Sequence, residues 1–285
     1  MTMKGIGASH GAATIVNAIA NGKGAAFGLD LRTEATVELT EGDGIRVVME
    51  GLPDEGTGLV ERCVQGVLDR VGGGKRYHAE VRTTSQIPVS RGLKSSSAAA
   101  NAVILATLDA LNEEMDLVEA VRIGTRAAID AGVSITGAFD DACACAMGGV
   151  VLTDNRSEEV LFHGSMPDYF RVLIHVPEFK VRKASLPRER IAAIKGLADL
   201  AFEVAHEGDY FRALTLNGMC YSTALGLDQE VAVKALMNGA LAAGLTGTGP
   251  ALVMLVVEDK VREFRAAMGG LQFIEARVRN PEAGE

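Results

Sequence analysis

Apolar and polar positions alternate through much of the first third of the chain. In Thr33 to Leu39, the residues Ala35, Val37 and Leu39 fall on one face, with the period of two expected of a half-buried strand. Ala25 to Leu31, Ile45 to Met49 and Tyr77 to Thr83 read as further strands. Between Gly58 and Gly72 the period changes. Leu59, Val60, Cys63, Val64, Val67, Leu68 and Val71 recur at helical spacing there, so one amphipathic helix interrupts the sheet. A more apolar helix is expected from Ser96 to Leu111, and a third from Leu117 to Ala131.

Strands return at Gly149 to Thr153 and at Phe170 to Val176. The pattern shifts across Ser165, Met166, Pro167 and Asp168, which sets an expected division into 1–165 and 166–285. Beyond it the charged stretch Lys180 to Arg190 leads into expected helices at Arg188 to His206, Tyr210 to Leu225 and Glu230 to Ala243. A strand at Ala251 to Val257, a helix at Asp259 to Met268 and a strand at Phe273 to Val278 complete the series. The mixture is that of an α+β fold.

Composition refines this picture. Of the 285 residues 48% are hydrophobic, but only 5% are aromatic and none is Trp, so the core is expected to consist of small aliphatic side chains around closely spaced backbone. The 33 glycines agree, since the usual share of about 7% would give roughly 20. A net charge of −9 argues against a nucleic-acid scaffold or a polybasic membrane binder. No apolar run reaches the ~18 residues that span a bilayer. Cys63, Cys143, Cys145 and Cys220 lack paired spacing, and the C-x-C of Cys143 and Cys145 has no second pair or nearby His to complete a zinc site. Buried thiols in a reduced, cytoplasmic protein are expected, because no charged segment followed by an apolar stretch opens the chain.

Three loops concentrate the candidate chemistry. Pro88-Val-Ser-Arg-Gly-Leu-Lys-Ser-Ser-Ser-Ala98 places a glycine, a lysine and three serines between a strand and an apolar helix. A helix start has N–H groups without intrahelical partners, so it suits phosphate oxygens, while a serine-capped core helix would explain the same residues more plainly. Thr246-Gly-Thr-Gly-Pro250 reads either as a turn or as a set of backbone donors for an anion. Thr136-Gly-Ala-Phe-Asp-Asp-Ala-Cys-Ala144 sets adjacent carboxylates in a small-residue loop. They serve either as a helix cap with a solvated neighbour or as a base or metal ligand facing the other loops. Neither a G-x-x-x-x-G-K-[ST] phosphate loop nor a G-x-G-x-x-G dinucleotide fingerprint occurs in the chain.

Taken jointly, the loops resemble the GHMP kinases, the superfamily of galactokinase, homoserine kinase, mevalonate kinase and phosphomevalonate kinase. The pattern P-x-x-x-G-L-x-S-S-[SA]-A is met by Pro88, Gly92, Leu93, Ser95, Ser96, Ser97 and Ala98, and G-x-G-P by Gly247, Thr248, Gly249 and Pro250. Ala18 to Thr33 resembles the hairpin of the first motif. Within the superfamily the combination is most similar to archaeal-type shikimate kinases, a solution unrelated to the P-loop enzymes for the same reaction. The resemblance implies an N-terminal sheet domain with a left-handed βαβ crossover, a ferredoxin-like C-terminal domain, ATP and Mg²⁺ as cofactors, and shikimate as substrate.

Residue by residue, the resemblance implies nucleotide contacts from Pro88, Ser90, Arg91, Gly92, Leu93, Lys94, Ser95, Ser96, Ser97, Ala98, Gly247, Thr248 and Gly249. It makes Asp140 the catalytic base, Ser96 a Mg²⁺ ligand and Asp130 a second one. Candidate substrate contacts are His10, Asn17, Asp141 and Arg182, the last in a basic stretch with Lys183 that is equally a solvated face. Gly11-Ala12-Ala13 stands where related kinases carry a lysine, a role that falls to Lys23 or Lys94 if it is kept. Asn17-Ala18 replaces the usual Glu-His. Another small-molecule kinase of the superfamily, such as homoserine kinase, and a non-catalytic sensor on the same scaffold are the alternatives.

Overall fold

The computed structural model describes residues 2–52, 54–88, 92–134, 136–178 and 187–281. It begins with a strand that hydrophobic patterning does not announce. β1 (Met3–Val16) is rich in glycine and alanine, which are poor strand formers, yet it pairs antiparallel with β2 (Lys23–Glu41) from Met3↔Leu39 to Val16↔Ala25. Close packing explains the choice of residues. A Cβ at Gly5 would lie 2.2 Å from the carbonyl oxygen of Ala106, and one at Gly7 would lie 2.2 Å from that of Ala102. Both carbonyls belong to α2 (Ser95–Leu111), which lies directly on the strand. Tertiary contact therefore overrides intrinsic propensity.

β2 is one continuous strand where alternation suggests two. Its residues 33–41 pair with β4 (Tyr77–Ser85), and 23–27 pair with β5 (Val150–Asp154). β3 (Ile45–Met49) runs parallel to β4 and is connected to it through α1 (Gly58–Val71). β6 (Glu159–Gly164), a largely exposed strand not apparent from the sequence, pairs with β5. α1, α2 and α3 (Leu117–Asp130) cover one face of this sheet with Val64, Val67, Val103 and Ile104 against Val37, Leu39 and Val81.

The second sheet contains β7 (Phe170–His175), β8 (Ala242–Leu245), β9 (Leu252–Val257) and β10 (Ile274–Ala276), all antiparallel in the order β10-β7-β9-β8. With helices between its first and second and between its third and fourth strands, it has the split βαβ arrangement of ferredoxin-like domains. The expected helix over 188–206 is two, α5 (Arg188–Ala193) and α6 (Lys195–His206), separated at Ile194. α7 (Tyr210–Leu225) is as expected. α8 (Glu230–Met237) stops well before Ala243, since Gly239 adopts φ +89° and the following alanines enter β8. α9 (Val261–Ala267) precedes β10. No helix among the described residues is long and apolar enough to cross a membrane.

One cluster of buried residues runs through both sheets, joining Ile15, Phe27 and Leu152 to Phe170, Val253 and Leu255. The turn between β1 and β2 is held from the other side by α7. Asn217 Oδ1 accepts the Asn17 N–H at 2.9 Å, and the Tyr221 hydroxyl donates to the Asn17 carbonyl at 2.8 Å.

Candidate active site

The end of β1, the start of α2, the start of α4 (Phe139–Met147) and the loop before β9 meet at a cleft of about 490 Å³ that α1 and α3 also line. The acidic pair, expected in a loop, lies in the first turn of α4. Two backbone turns aim these groups. Lys94 precedes α2 with φ 64° and Ala138 precedes α4 with φ 53°, left-handed conformations uncommon outside glycine. Each turn brings a helix N-terminus to the cleft, so the unpaired N–H groups and positive ends of two helices converge there.

Lys94 is almost enclosed, with 6% of its side chain exposed. Its Nζ lies 2.9 Å from Asp141 Oδ2 and donates to Thr14 Oγ1 at 2.7 Å. Asp141 Oδ1 is buried and has no hydrogen-bond partner among the described residues. Asp140 is held differently. Its carboxylate Oδ1 accepts from Asn155 Nδ2 at 2.8 Å, and its N–H donates to Asn155 Oδ1 at 3.2 Å. Thr153 Oγ1 donates to the same Asn155 oxygen at 2.7 Å and fixes the amide. Burial, followed by the neighbouring Asp141 charge, pushes the Asp140 carboxyl well above the usual carboxylate range, against the opposing effects of Asn155 and Lys94.

The structure brings most of the sequence-derived candidates together. Asn17, Gly92, Lys94, Ser95, Ser96, Ser97, Asp140, Asp141, Gly247, Thr248 and Gly249 all line the cleft. Asn17 does so with its amide engaged at both ends, since Nδ2 donates to the Gly247 carbonyl and Oδ1 accepts from the Ile19 N–H. Leu93 and Ala98 are buried core residues. Pro88, just after β4, is half-buried and does not line the cleft. Ser90, Arg91 and Arg182, with Lys183, lie outside the described residues. Of the two lysines considered for the missing first-motif lysine, Lys94 is in the cleft, whereas Lys23 lies over the Phe202 ring.

Two candidates lie apart from the cleft. His10 lies outside the cleft near Arg279, Arg32 and Asp30, where burial and the two guanidiniums push its imidazole down to about 4; neutral at pH 7, it offers no charge to a substrate carboxylate. Asp130 is the exposed last residue of α3, and that helix turns Gly124, Thr125 and Ala128 to the cleft instead. Sequence reasoning missed Thr14 and Asn155. Thr14 sits in the strand that patterning does not reveal, and Asn155 sits in Asp154-Asn-Arg-Ser157, which reads as an ordinary turn.

The donor set suits a hard cation beside phosphates. The Ser96 hydroxyl, at the start of α2 in the cleft, is such an oxygen donor. No group of three or more His, Cys, Asp or Glu side chains that could hold a metal occurs among the described residues. Mg²⁺ needs none, because it typically takes one or two protein oxygens and completes its shell with substrate phosphates and water. Cys143 and Cys145 are buried and unbridged, as the thiol reading expects.

The family model for the GHMP kinases N terminal domain matches residues 58–149. The homoserine kinase of Cytophaga hutchinsonii superposes with a TM-score of 0.76 at 19% identity, covering 99% of this chain and 96% of its own, a likeness of fold. The shikimate kinase of Methanothrix thermoacetophila is 49% identical over 99% of this chain and 96% of its own length. That of Methanosarcina mazei is 46% identical over 94% and 90%. Identity at this level over nearly the whole chain places it in the archaeal shikimate kinase family of the GHMP kinases.

Proposed function

We propose that the protein transfers the γ-phosphoryl group of ATP to the 3-hydroxyl of shikimate, giving shikimate 3-phosphate and ADP. The observation that carries the chemistry is the buried Lys94–Asp141 pair facing the serine-lined start of α2 across one cleft. The near-full-length relatives carry the choice of substrate. Phosphoryl transfer requires in-line positioning and stabilisation of phosphate charge, with little covalent work for the protein.

The N–H groups at the start of α2, with that of Thr248 in the loop before β9, hold the phosphates. A helix N-terminus contributes about 0.3–1 kcal/mol to an exposed anion and up to about 2 when partly buried. The apolar end of the cleft, formed by Met49, Leu52, Leu59 and Val60, suits the flat face of the base. Ser96 is the assigned Mg²⁺ ligand, and the metal when bound supplies neutralisation of phosphate charge. The hydrogen bonds of the two aspartates favour Asp141 as acceptor of the hydroxyl proton, because its Oδ1 has no partner among the described residues while Asp140 Oδ1 is tied to Asn155. Asp140 then orients the substrate. The same reading makes 1–165 the part that holds the nucleotide, while 166–285 completes the cleft through the loop before β9.

Purified protein with ATP and Mg²⁺ should release ADP on addition of shikimate and leave homoserine and mevalonate nearly untouched. Comparable kcat/KM on homoserine would reject the substrate and keep the superfamily. For the metal, Ser96→Ala should raise the Mg²⁺ concentration at half-maximal rate more than Ser97→Ala does. Equal effects would return both serines to helix capping.

A further inference from the structure

A hydrogen-bonded clasp closes the floor of the cleft. Thr14 Oγ1 accepts from Lys94 Nζ at 2.7 Å and from the Gly247 N–H at 2.9 Å. The Thr14 N–H donates to Thr246 Oγ1 at 3.1 Å, and the Thr246 hydroxyl donates to the Gly92 carbonyl at 3.1 Å. Both threonines are buried. The end of β1 thus ties the loop before α2 to the loop before β9, and Lys94 extends the connection to Asp141 on α4.

Building on the shikimate kinase reading, we propose that Thr14 is a positioning residue for phosphoryl transfer, whose hydroxyl sets Lys94 Nζ against Asp141 and fixes Gly247 beside the start of α2. A lysine ammonium on a four-carbon stem has no location of its own, and holding it costs up to about 2 kcal/mol of rotamer freedom. Thr14 fixes it by a hydrogen bond and Asp141 by charge, which holds the ammonium at the edge of the cleft where an anion can meet it. The backbone is shaped around this contact. A Cβ at Gly247 would lie 2.9 Å from Lys94 Nζ, and one at Gly92 would lie 2.5 Å from the Thr246 carbonyl oxygen, so a side chain at either position would force the clasp open. Lys94 itself occupies a left-handed conformation at a position where glycine would be relaxed, which leaves the reach of its side chain as the feature the strain supports.

Thr14→Val keeps the shape of the side chain and removes the acceptor for both donors. In the full chain it is expected to lower kcat roughly 30–100-fold, the scale of a displacement near 1 Å, with KM for ATP and shikimate held within about threefold. Amide hydrogen exchange at Gly247 should accelerate. Thr14→Ser retains the hydroxyl and should restore kcat to within about threefold of wild type, together with protection at Gly247. Wild-type kcat in Thr14→Val overturns the proposal, as does a loss that serine fails to recover. If Thr14→Val does not fold, Thr246→Val opens the clasp from its other side and should show the same split, with kcat lowered and KM held; wild-type kcat there overturns the proposal too. A wild-type protein that does not phosphorylate shikimate counts against the substrate reading instead. Exchange at Gly247 then judges the clasp alone: unchanged rates in Thr14→Val reject it, and faster rates reversed by serine support it.

Discussion

Asp141→Asn is expected to abolish most of the shikimate-dependent ADP release, with kcat falling by roughly 10²–10⁴ while the nucleotide still binds. The expectation follows from Asp141 Oδ1, a buried carboxylate oxygen at the cleft without a hydrogen-bond partner among the described residues. An attacking hydroxyl must give up its proton as the phosphoryl group arrives, and Asp141 Oδ1 is the acceptor left open for it. An asparagine keeps the shape and can still face Lys94 through its carbonyl, but its weakly basic amide cannot take the proton. Asp140→Asn should be milder, about tenfold, because Asp140 Oδ1 is already engaged by Asn155 and an amide oxygen can still accept that bond. Steady-state kinetics of the two variants decides the matter, and the reverse ranking would return the base role to Asp140.

Where apolar residues of ordinary size alternate or recur, the fold is legible in the chain. Ile45–Met49 forms a strand with the bounds its pattern suggests, and Tyr210–Leu225 forms a helix with its own. The failures share a cause. β1 and β8 are strands of glycine and alanine, with too little side chain to mark a face, because helices pack directly on their backbone. At Gly218 a Cβ would lie 2.4 Å from the Cα of Gly244, so α7 approaches β8 as closely as α2 approaches β1. Such contacts link residues far apart in sequence, and no local period reports them. α4 is short and follows Thr-Gly-Ala, which reads as a loop until the left-handed Ala138 turns it into a helix start.

Much the same division holds at the site. Serines at a helix start and paired acids identify their own segments, so Ser95 to Ser97 and the two aspartates can be found before any coordinates. The direction in which a side chain points cannot. Asp130 and His10 fall near the right motifs, but helical phase leaves the first exposed and the second sits apart from the cleft beside two arginines. The difference between Asp140 and Asp141 depends on Asn155 and Lys94, one on a later turn and the other before α2.

Lys94→Met should act on stability and rate together. In the folded protein it leaves the Asp141 carboxylate, 14% exposed, without its counter-ion. Removing one partner of a buried pair typically costs about 3–5 kcal/mol, because the remaining charge stays desolvated and uncompensated. The rate should fall as well, by roughly 10²–10³, the scale of losing one fixed positive group at a site of developing charge. The two effects separate in the double variant. Adding Asp141→Asn to Lys94→Met removes the stranded charge, so denaturant unfolding should recover much of the lost stability even though activity stays low. A double variant no more stable than Lys94→Met would mean that the lysine stabilises the fold by packing its stem rather than by pairing with Asp141. In that case the ion pair at the centre of the proposed site would be incidental to its construction.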